Sequence, residues 1–315
     1  MPRETAAHEL RVALTPDDVA ELSRREVHVL VEQGAGWSAD FTDAAYRDAG
    51  ASIVPGPEQV FAADVVAWVK PPVYNLDSMP LRPGQSLMGF QDPIHRQARI
   101  VALDDRGVRS IAFERIPSVD GSTQPDPLSA MSRIAGDVAY RTGRALLPER
   151  VRQRRVRALI VGCGHAGLAA IAAAVAQDDQ PPTAIGSRAE QEAAAIESGA
   201  GGFLLQPDPA VIAGFISDTD PELIICAAGH RGNAAPLLID QAALDALTAG
   251  AVVVDLTAKA GGNCIATEAN TTVRLAGNVQ VVHRSNFPAE RPRTASRAYG
   301  AATVAAILGL TPDSG

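Results

Sequence analysis

The chain has 315 residues, 46% of them hydrophobic and 20% charged, which is enough apolar material for two cores. A net charge of −8 gives no general attraction to nucleic acid or to acidic membrane surfaces. Three scattered cysteines, Cys163, Cys226 and Cys264, argue against a disulfide framework and against a CxxC-type metal site, so no metal is expected.

The opening "MPRETAAHELRV" lacks the apolar core of a signal peptide, and no apolar run reaches the length of a membrane span. The expectation is a soluble, cytoplasmic protein. "LRVAL" reads as the end of a strand. Thr15 then serves as N-cap with Pro16 at the first helical position, and an amphipathic helix leads to the strand "HVLVE". "AAYRDAGASIV" is a helix followed by a strand, "ADVVAWVK" a buried strand ending at Lys70, and "SLMGF" and "SIAFE" two more strands. The alternation predicts a mostly parallel sheet covered by helices. "IPSVDGSTQPDP" (116–127) is a loop, and "LSAMSRIAGDVAYRTGRALL" is a helix long enough to connect two domains. The basic run "RVRQRRVR" (150–157) reads first as a solvated linker or the lead into a strand, and second as a phosphate-facing segment.

A second series follows. "VRALIVGCGHAGLAAIAAAVAQ" is strand, glycine turn and helix; "PTAIGSR" is a strand and "AEQEAAAIESGA" a glycine-capped helix; "ELIICAAG", "AVVVDLTAKAGG" and "VQVVHRSNFP" are further strands. "TASRAYGAATVAAILGL" closes the chain as a helix. The fold class expected is α/β, with two Rossmann-like domains of parallel sheet.

Gly162, Gly164 and Gly167 stand in G-x-G-x-x-G spacing between an apolar strand and an alanine-rich helix, the context that gives this motif its meaning. Gly162 permits the turn, Gly164 lets a pyrophosphate approach the backbone, and Gly167 lets helix pack on strand. The helix start, with His165 and Ala166, offers N–H groups and a positive dipole end to phosphates. His165 either points to solvent or bonds a phosphate. An NAD site places an acid about 20 residues beyond the glycines to hold the ribose 2′-hydroxyl. Here Gly186 stands in that place, followed by Ser187 and Arg188. Without the acid a 2′-phosphate is not repelled, and Ser187 and Arg188 can bond it, so the sequence favours NADP(H) with NAD(H) possible. The alternative is an Arg188 that is solvated at a helix start.

Taken in order, "RVALTPDDVAELSRREVHVLVEQGAG", "VVAWVKPP", "LSAMSRIAG", "VVVDLTAKAGGNC" and "NFPAERPRTASRAYG" resemble the alanine dehydrogenase and nicotinamide nucleotide transhydrogenase alpha-subunit family along nearly the whole chain. The resemblance implies a discontinuous substrate domain, residues 1–140 with 284–315, into which a dinucleotide-binding domain, 141–283, is inserted. It also implies homo-oligomers. Arg11 and Lys70 match the family residues that hold an oxo-acid substrate, a chemistry that suits an arginine fork and a carbonyl-polarising lysine; a plain strand-end ion pair is the alternative. Asn286 matches the asparagine near substrate and nicotinamide, and Ser132 a cofactor-binding position. Asp126 and Gln124 fall in a loop whose arginine has been lost.

Two departures bear on the chemistry. The family's catalytic histidine falls at Asp92, and its catalytic aspartate at Lys259. Either Asp92 or the nearby His95 is expected to handle the proton, histidine because it titrates near working pH. Asp92 could instead cap the next helix. The expected function is an NAD(P)H-dependent oxidoreductase moving hydride to or from a small 2-oxo acid, imine or amino acid. A transhydrogenase-like nucleotide-binding subunit and a non-redox member of the family are the alternatives.

Overall fold

The computed structural model of the protein describes residues 1–93, 95–116, 126–229 and 233–310; Gln124 and most of its loop lie outside them. In chain order the first elements are α1 (Pro16–Arg24), β1 (Leu30–Glu32), α2 (Asp43–Asp48), β2 (Ser52–Val54), α3 (Pro57–Phe61) and β3 (Val65–Ala67). Then come β4 (Ser86–Gly89), α4 (Gln97–Asp105), β5 (Arg109–Ala112), α5 (Pro127–Leu146) and α6 (Glu149–Arg152). The second half continues with β6 (Ala158–Val161), α7 (His165–Ala176), β7 (Thr183–Gly186), α8 (Gln191–Glu197), β8 (Gly202–Leu205) and α9 (Pro209–Thr219). It ends with β9 (Leu223–Cys226), α10 (Gln241–Asp245), β10 (Val252–Asp255), β11 (Thr272–Arg274), β12 (Gln280–Val282) and α11 (Pro292–Leu308).

Two compact units result: Met1–Met131 with Pro288–Gly315, and Ser132–Phe287. The first division falls inside α5. Both units are α/β with parallel-dominated sheets, as the alternation of elements led us to expect.

In the first unit β1 and β2 pair in parallel, and β3, β4 and β5 form a parallel three-stranded sheet. Thr15 caps α1 in a reciprocal box with Asp18, and Pro16 holds the first helical position. Phe61, Trp68, Leu87 and Val108 pack in the core beneath the sheet. From α11, the Tyr299 hydroxyl donates to the Trp68 carbonyl at 2.9 Å. Gly300 lets α11 meet α1, since a Cβ there would overlap the Asp18 carboxylate. The strand expected at "LRVAL" does not form. Its backbone N–H groups go to side chains instead of a ladder: Arg11 to Glu9 Oε1 at 3.1 Å, Val12 to Ser296 Oγ at 2.9 Å.

The second unit holds a seven-stranded sheet in the order β11-β12-β10-β9-β6-β7-β8, parallel except for β11. Alternate residues feed opposite cores, as strand geometry requires. Ala158 and Ile160 of β6, Leu223 and Ile225 of β9, and Val252 and Val254 of β10 face one core with Tyr140 of α5 and Ala170 of α7. Leu159, Val161, Ile224, Cys226 and Val253 face the other with Ile212 and Ile216 of α9. All three cysteines are buried and free. The basic run leads into β6 and is tied down by acids: Arg157 pairs with Asp220 at 2.8 Å and Glu222 at 2.6 Å, and Arg154 also pairs with Glu222. Among the described residues no helix is long and apolar enough to cross a membrane.

Candidate functional site

The sheet order of the second unit reverses at β6: the chain moves outward to β7 and β8, then returns to β9 on the other side. Open parallel sheets bind ligands beyond the carboxyl ends of the strands at such a switch. A cavity of about 360 Å³ opens there, lined by Gly162, Gly164, Ser187, Arg188, Gln206 and Ala228 among others. Gly162 has φ +104, and a Cβ on it would press on the Ala227–Ala228 peptide at 2.6 Å. A Cβ on Gly167 would overlap the Gly162 carbonyl oxygen. The packing of the unit itself therefore demands these two glycines.

Gly164 differs. It is the N-cap of α7, it makes no side-chain cap, and a Cβ on it would meet nothing within 4 Å. The start of α7 at Gly164 therefore opens on space, which is the cradle a phosphate requires. The residues present thus fit a dinucleotide.

At the end of β7, Gly186 sits against the Phe203 ring and close to the Gln191 amide, whose oxygen lies 3.0 Å from where a Cβ would be. An acid could not stand there without displacing both. The Gln191 amide oxygen accepts the backbone N–H of Ser187 at 2.9 Å and of Arg188 at 3.1 Å. The Ser187 hydroxyl reaches the same oxygen at 3.5 Å. Gln206 donates to the Ser187 carbonyl. Ser187 and Arg188 are both exposed on the cavity rim, and Arg188 makes no ion pair among the described residues.

The opposite wall hangs on two buried polar side chains that no local sequence motif marks. Asp255, fully buried at the end of β10, accepts from Thr257 N (2.8 Å), Thr257 Oγ1 (2.7 Å), Asn263 N (2.8 Å), Cys264 N (3.1 Å) and Thr267 Oγ1 (2.8 Å). Asn263 in turn clasps the Ala228 peptide through both amide atoms, at 2.9 and 2.8 Å. The only sequence signal for either was their place in "VVVDLTAKAGGNC". Lys259 is exposed on the short turn that this network holds. His283, buried beyond β12, accepts the Asn270 N–H at 2.9 Å, and burial lowers its pKa, with Asp255 opposing and Lys259 assisting. Ser132 lies near the start of α5, and Asn286 lies two residues beyond Arg284 at the end of this unit, before the turn Phe287–Glu290.

In the first unit Arg11 and Lys70 converge on one carboxylate, Glu9. Arg11 donates to it twice at 2.7 Å, and Lys70 Nζ stands 3.5 Å away. The third face of the Arg11 fork reaches the Met131 sulfur at 3.0 Å. Burial alone would raise the Glu9 pKa, but hydrogen bonding and charge from Arg11, then Lys70, overcome it and pull the carboxyl down to about 2. Glu4 accepts the N–H groups of Val69 (2.6 Å) and Lys70 (3.0 Å) and so fixes the backbone that carries the lysine. Glu4 keeps some exposed surface as a residue, yet burial of its carboxyl pushes its pKa up to about 8, against the pull of those two bonds. Glu4 and Glu9 were missed in the sequence because nothing local marks a buried acid.

The strands β3 and β4 deliver Lys70 and Asp92 to the same edge of the sheet, where the Phe90 N–H donates to the Val69 carbonyl at 3.3 Å. Asp92 has φ +53, the left-handed region. Glu114, after β5, holds it there by accepting the N–H groups of Gln91 (3.0 Å) and Asp92 (2.8 Å). Asp92 does not cap α4, which starts at Gln97 without a side-chain cap. Its carboxylate instead bonds His95 Nδ1 at 2.8 Å. The two candidates for the proton are one hydrogen-bonded pair. Asp126 caps α5 by accepting from Ser129 Oγ at 2.5 Å and Leu128 N at 3.0 Å.

A parallel sheet with a glycine turn at its switch point, beside a second α/β unit carrying clustered charges, defines an α/β protein of the Rossmann type. Residues 1–135 match the alanine dehydrogenase/PNT N-terminal domain and residues 138–315 the alanine dehydrogenase/PNT C-terminal domain. The chain belongs to this family, whose members are NAD(P)-dependent oxidoreductases. It is 31% identical to the NAD(P) transhydrogenase subunit alpha of Cereibacter sphaeroides over 99% of this chain and 65% of that protein. The chain therefore spans less than two thirds of that relative. It is 30% identical to the alanine dehydrogenase of Bacillus subtilis (strain 168), covering 96% of this chain and 83% of that one. A crystal structure of a transhydrogenase from Sinorhizobium meliloti superposes with a TM-score of 0.89 at 26% identity, over 98% of this chain and 92% of that one.

Proposed function

We propose that the protein is an NADP(H)-favouring oxidoreductase acting on a small 2-oxo acid, imine or amino acid. The observation that carries this reading is the buried Glu9 that holds Arg11 and Lys70 side by side. A guanidinium fork and an ammonium group held side by side suit a substrate carboxylate. Arg11 anchors that carboxylate. Lys70 donates toward the carbonyl oxygen or imine nitrogen and stabilises charge developing there. His95, its Nδ1 held by Asp92, keeps Nε2 for a proton.

In the second unit Gly162, Gly164, His165, Ala166 and Gly167 hold the pyrophosphate, with Ser132 and Asn286 as further binding positions. When bound, nicotinamide supplies or accepts the hydride. The missing acid at Gly186 and the exposed Ser187 and Arg188 support a 2′-phosphate ligand.

The test is a screen of 2-oxo acids, with and without amines, against NADPH and NADH, following nicotinamide absorbance. Turnover with at least one member, faster with NADPH, is the expected result. No turnover across the panel by protein that demonstrably binds dinucleotide would sink the oxidoreductase reading.

A second reading is a nucleotide-binding subunit of a transhydrogenase-like complex. What favours it is Lys259 at the position of a catalytic acid, together with the likeness to transhydrogenase subunits. Co-purification with a membrane partner from native extract, and no turnover alone, would promote it.

A further inference from the structure

We propose that the first unit carries a separate oxyanion site, for inorganic phosphate or a phosphomonoester, in the groove between α4 and the segment that follows Lys70. A cavity of about 250 Å³ opens there, and its walls include Tyr74, Asp77, Arg96, Arg99 and Arg106. Arg106 is answered by Asp77 at 2.9 Å. Among the described residues neither Arg96 nor Arg99 makes an ion pair, whereas Glu32, Glu4 and Glu58 act on the Tyr74 hydroxyl only through their charge.

The Arg99 guanidinium lies over the Trp68 ring, 5.8 Å from the centroid, and Nη1 makes a long 3.4 Å bond to the Pro72 carbonyl. Nη2 is buried and has no hydrogen-bond partner. The Tyr74 hydroxyl, on the facing wall, is buried and lacks one as well. Stacking against Trp68, and the Tyr74 ring edge-on to Phe61 at 5.9 Å, fix both groups in place. Burial, and then the charge of Arg96, draw the Arg99 pKa down to about 10, so the guanidinium stays charged at neutral pH despite that like charge.

A buried donor left unsatisfied is costly, and a buried cation without an anion more so. Water can accept from these donors, but it brings no charge. A tetrahedral dianion matches both charges and offers enough oxygens for Arg99, Tyr74 and Arg96 together. A carboxylate has two oxygens and one charge and leaves half the surplus. The Pro71–Pro72 pair joins this groove to Lys70 through two φ-restricted residues.

The experiment is a calorimetric titration of inorganic phosphate into the full chain at constant ionic strength. Parent protein, Tyr74→Phe, Arg96→Ala and, as a control in the other unit, Arg188→Ala are compared. The expected result is a saturable phosphate site whose affinity falls about tenfold in Tyr74→Phe and in Arg96→Ala and which persists in Arg188→Ala, a change that can remove only phosphate held in the other unit. Tyr74→Phe removes a single oxygen from an otherwise identical side chain, so it also guards against a variant that fails to fold. Sulfate should compete and chloride should not. Absence of saturable binding, or binding that Arg188→Ala weakens while Tyr74→Phe and Arg96→Ala leave it untouched, overturns the proposal. The first outcome means that water alone satisfies the donors. The second means that phosphate is read at the glycine turn.

Discussion

The two candidate sites are built from different materials. In the second unit the cavity is made of backbone: glycines with no room for a side chain, a helix start, strand ends. In the first unit the site is made of side chains from two segments, Glu4, Glu9 and Arg11 from one and Lys70 from the other. A backbone site needs glycines at fixed local spacing and so announces itself. A side-chain site needs only that charges meet in space, and the chain positions that supply them carry no mutual signal. The first site depends on steric vacancy, the second on electrostatic balance, and they should fail differently.

The largest effect is expected at that balance. Glu9→Ala leaves Arg11 buried without its anion, a loss of about 3–5 kcal/mol of folding stability, read by urea denaturation. If the variant unfolds at the parental midpoint, the charges of the first unit are not interdependent and the contrast collapses. In the second unit two neighbouring glycines should part company. Gly167→Ala forces a methyl onto the Gly162 carbonyl and should cost about 1–3 kcal/mol. Gly164→Ala should leave stability within about 0.5 kcal/mol but weaken dinucleotide binding about tenfold, measured by quenching or enhancement of NADPH fluorescence. Equal destabilisation by both would mean that Gly164 also serves internal packing.

A finer test concerns the rim. Arg188→Ala should weaken NADPH about tenfold and NADH much less; equal losses would remove the preference for the 2′-phosphate. The subtlest test is Glu4. Its folded pKa of about 8 lies above the ordinary 4.5, so from pH 4.5 to 8 the native chain holds a proton that the unfolded chain has released. The stability from this group is full below pH 4.5 and drains away as pH rises through about 8. Relative to Glu4→Gln, the parent should therefore lose stability across that window, and parallel pH profiles would show that the carboxyl titrates normally.

The same contrast explains what could be read in advance. The glycine turn, the strand that precedes it and the capped helix at Thr15 follow from local geometry, and the alternation of elements gave the fold class. β8 and α9 escaped because Gly201, Gly202, Pro207 and Pro209 look like loop punctuation, whereas the pairing of Thr183 to Gly202 and onward makes β8 a strand by tertiary contact. The strand expected at "LRVAL" failed for the opposite reason, since side chains took its backbone donors. Arg11, Lys70 and Asn286 came from family resemblance alone. Asp255 and Asn263 are structural anchors whose five and three bonds depend on a folded loop, and a linear search has no way to weigh them.

The uneven way the chain is divided also bears on how the molecule is made. Every residue of Ser132–Phe287 has been synthesised before α11, so this part can complete itself while the nascent chain is still growing. The N-terminal portion has no such freedom: the Trp68 carbonyl and the Val12 amide find their partners only once Ser296 and Tyr299 of α11 have been made. Until then Phe90 and Phe113, at the ends of β4 and β5, lack the Tyr299 ring that packs on them.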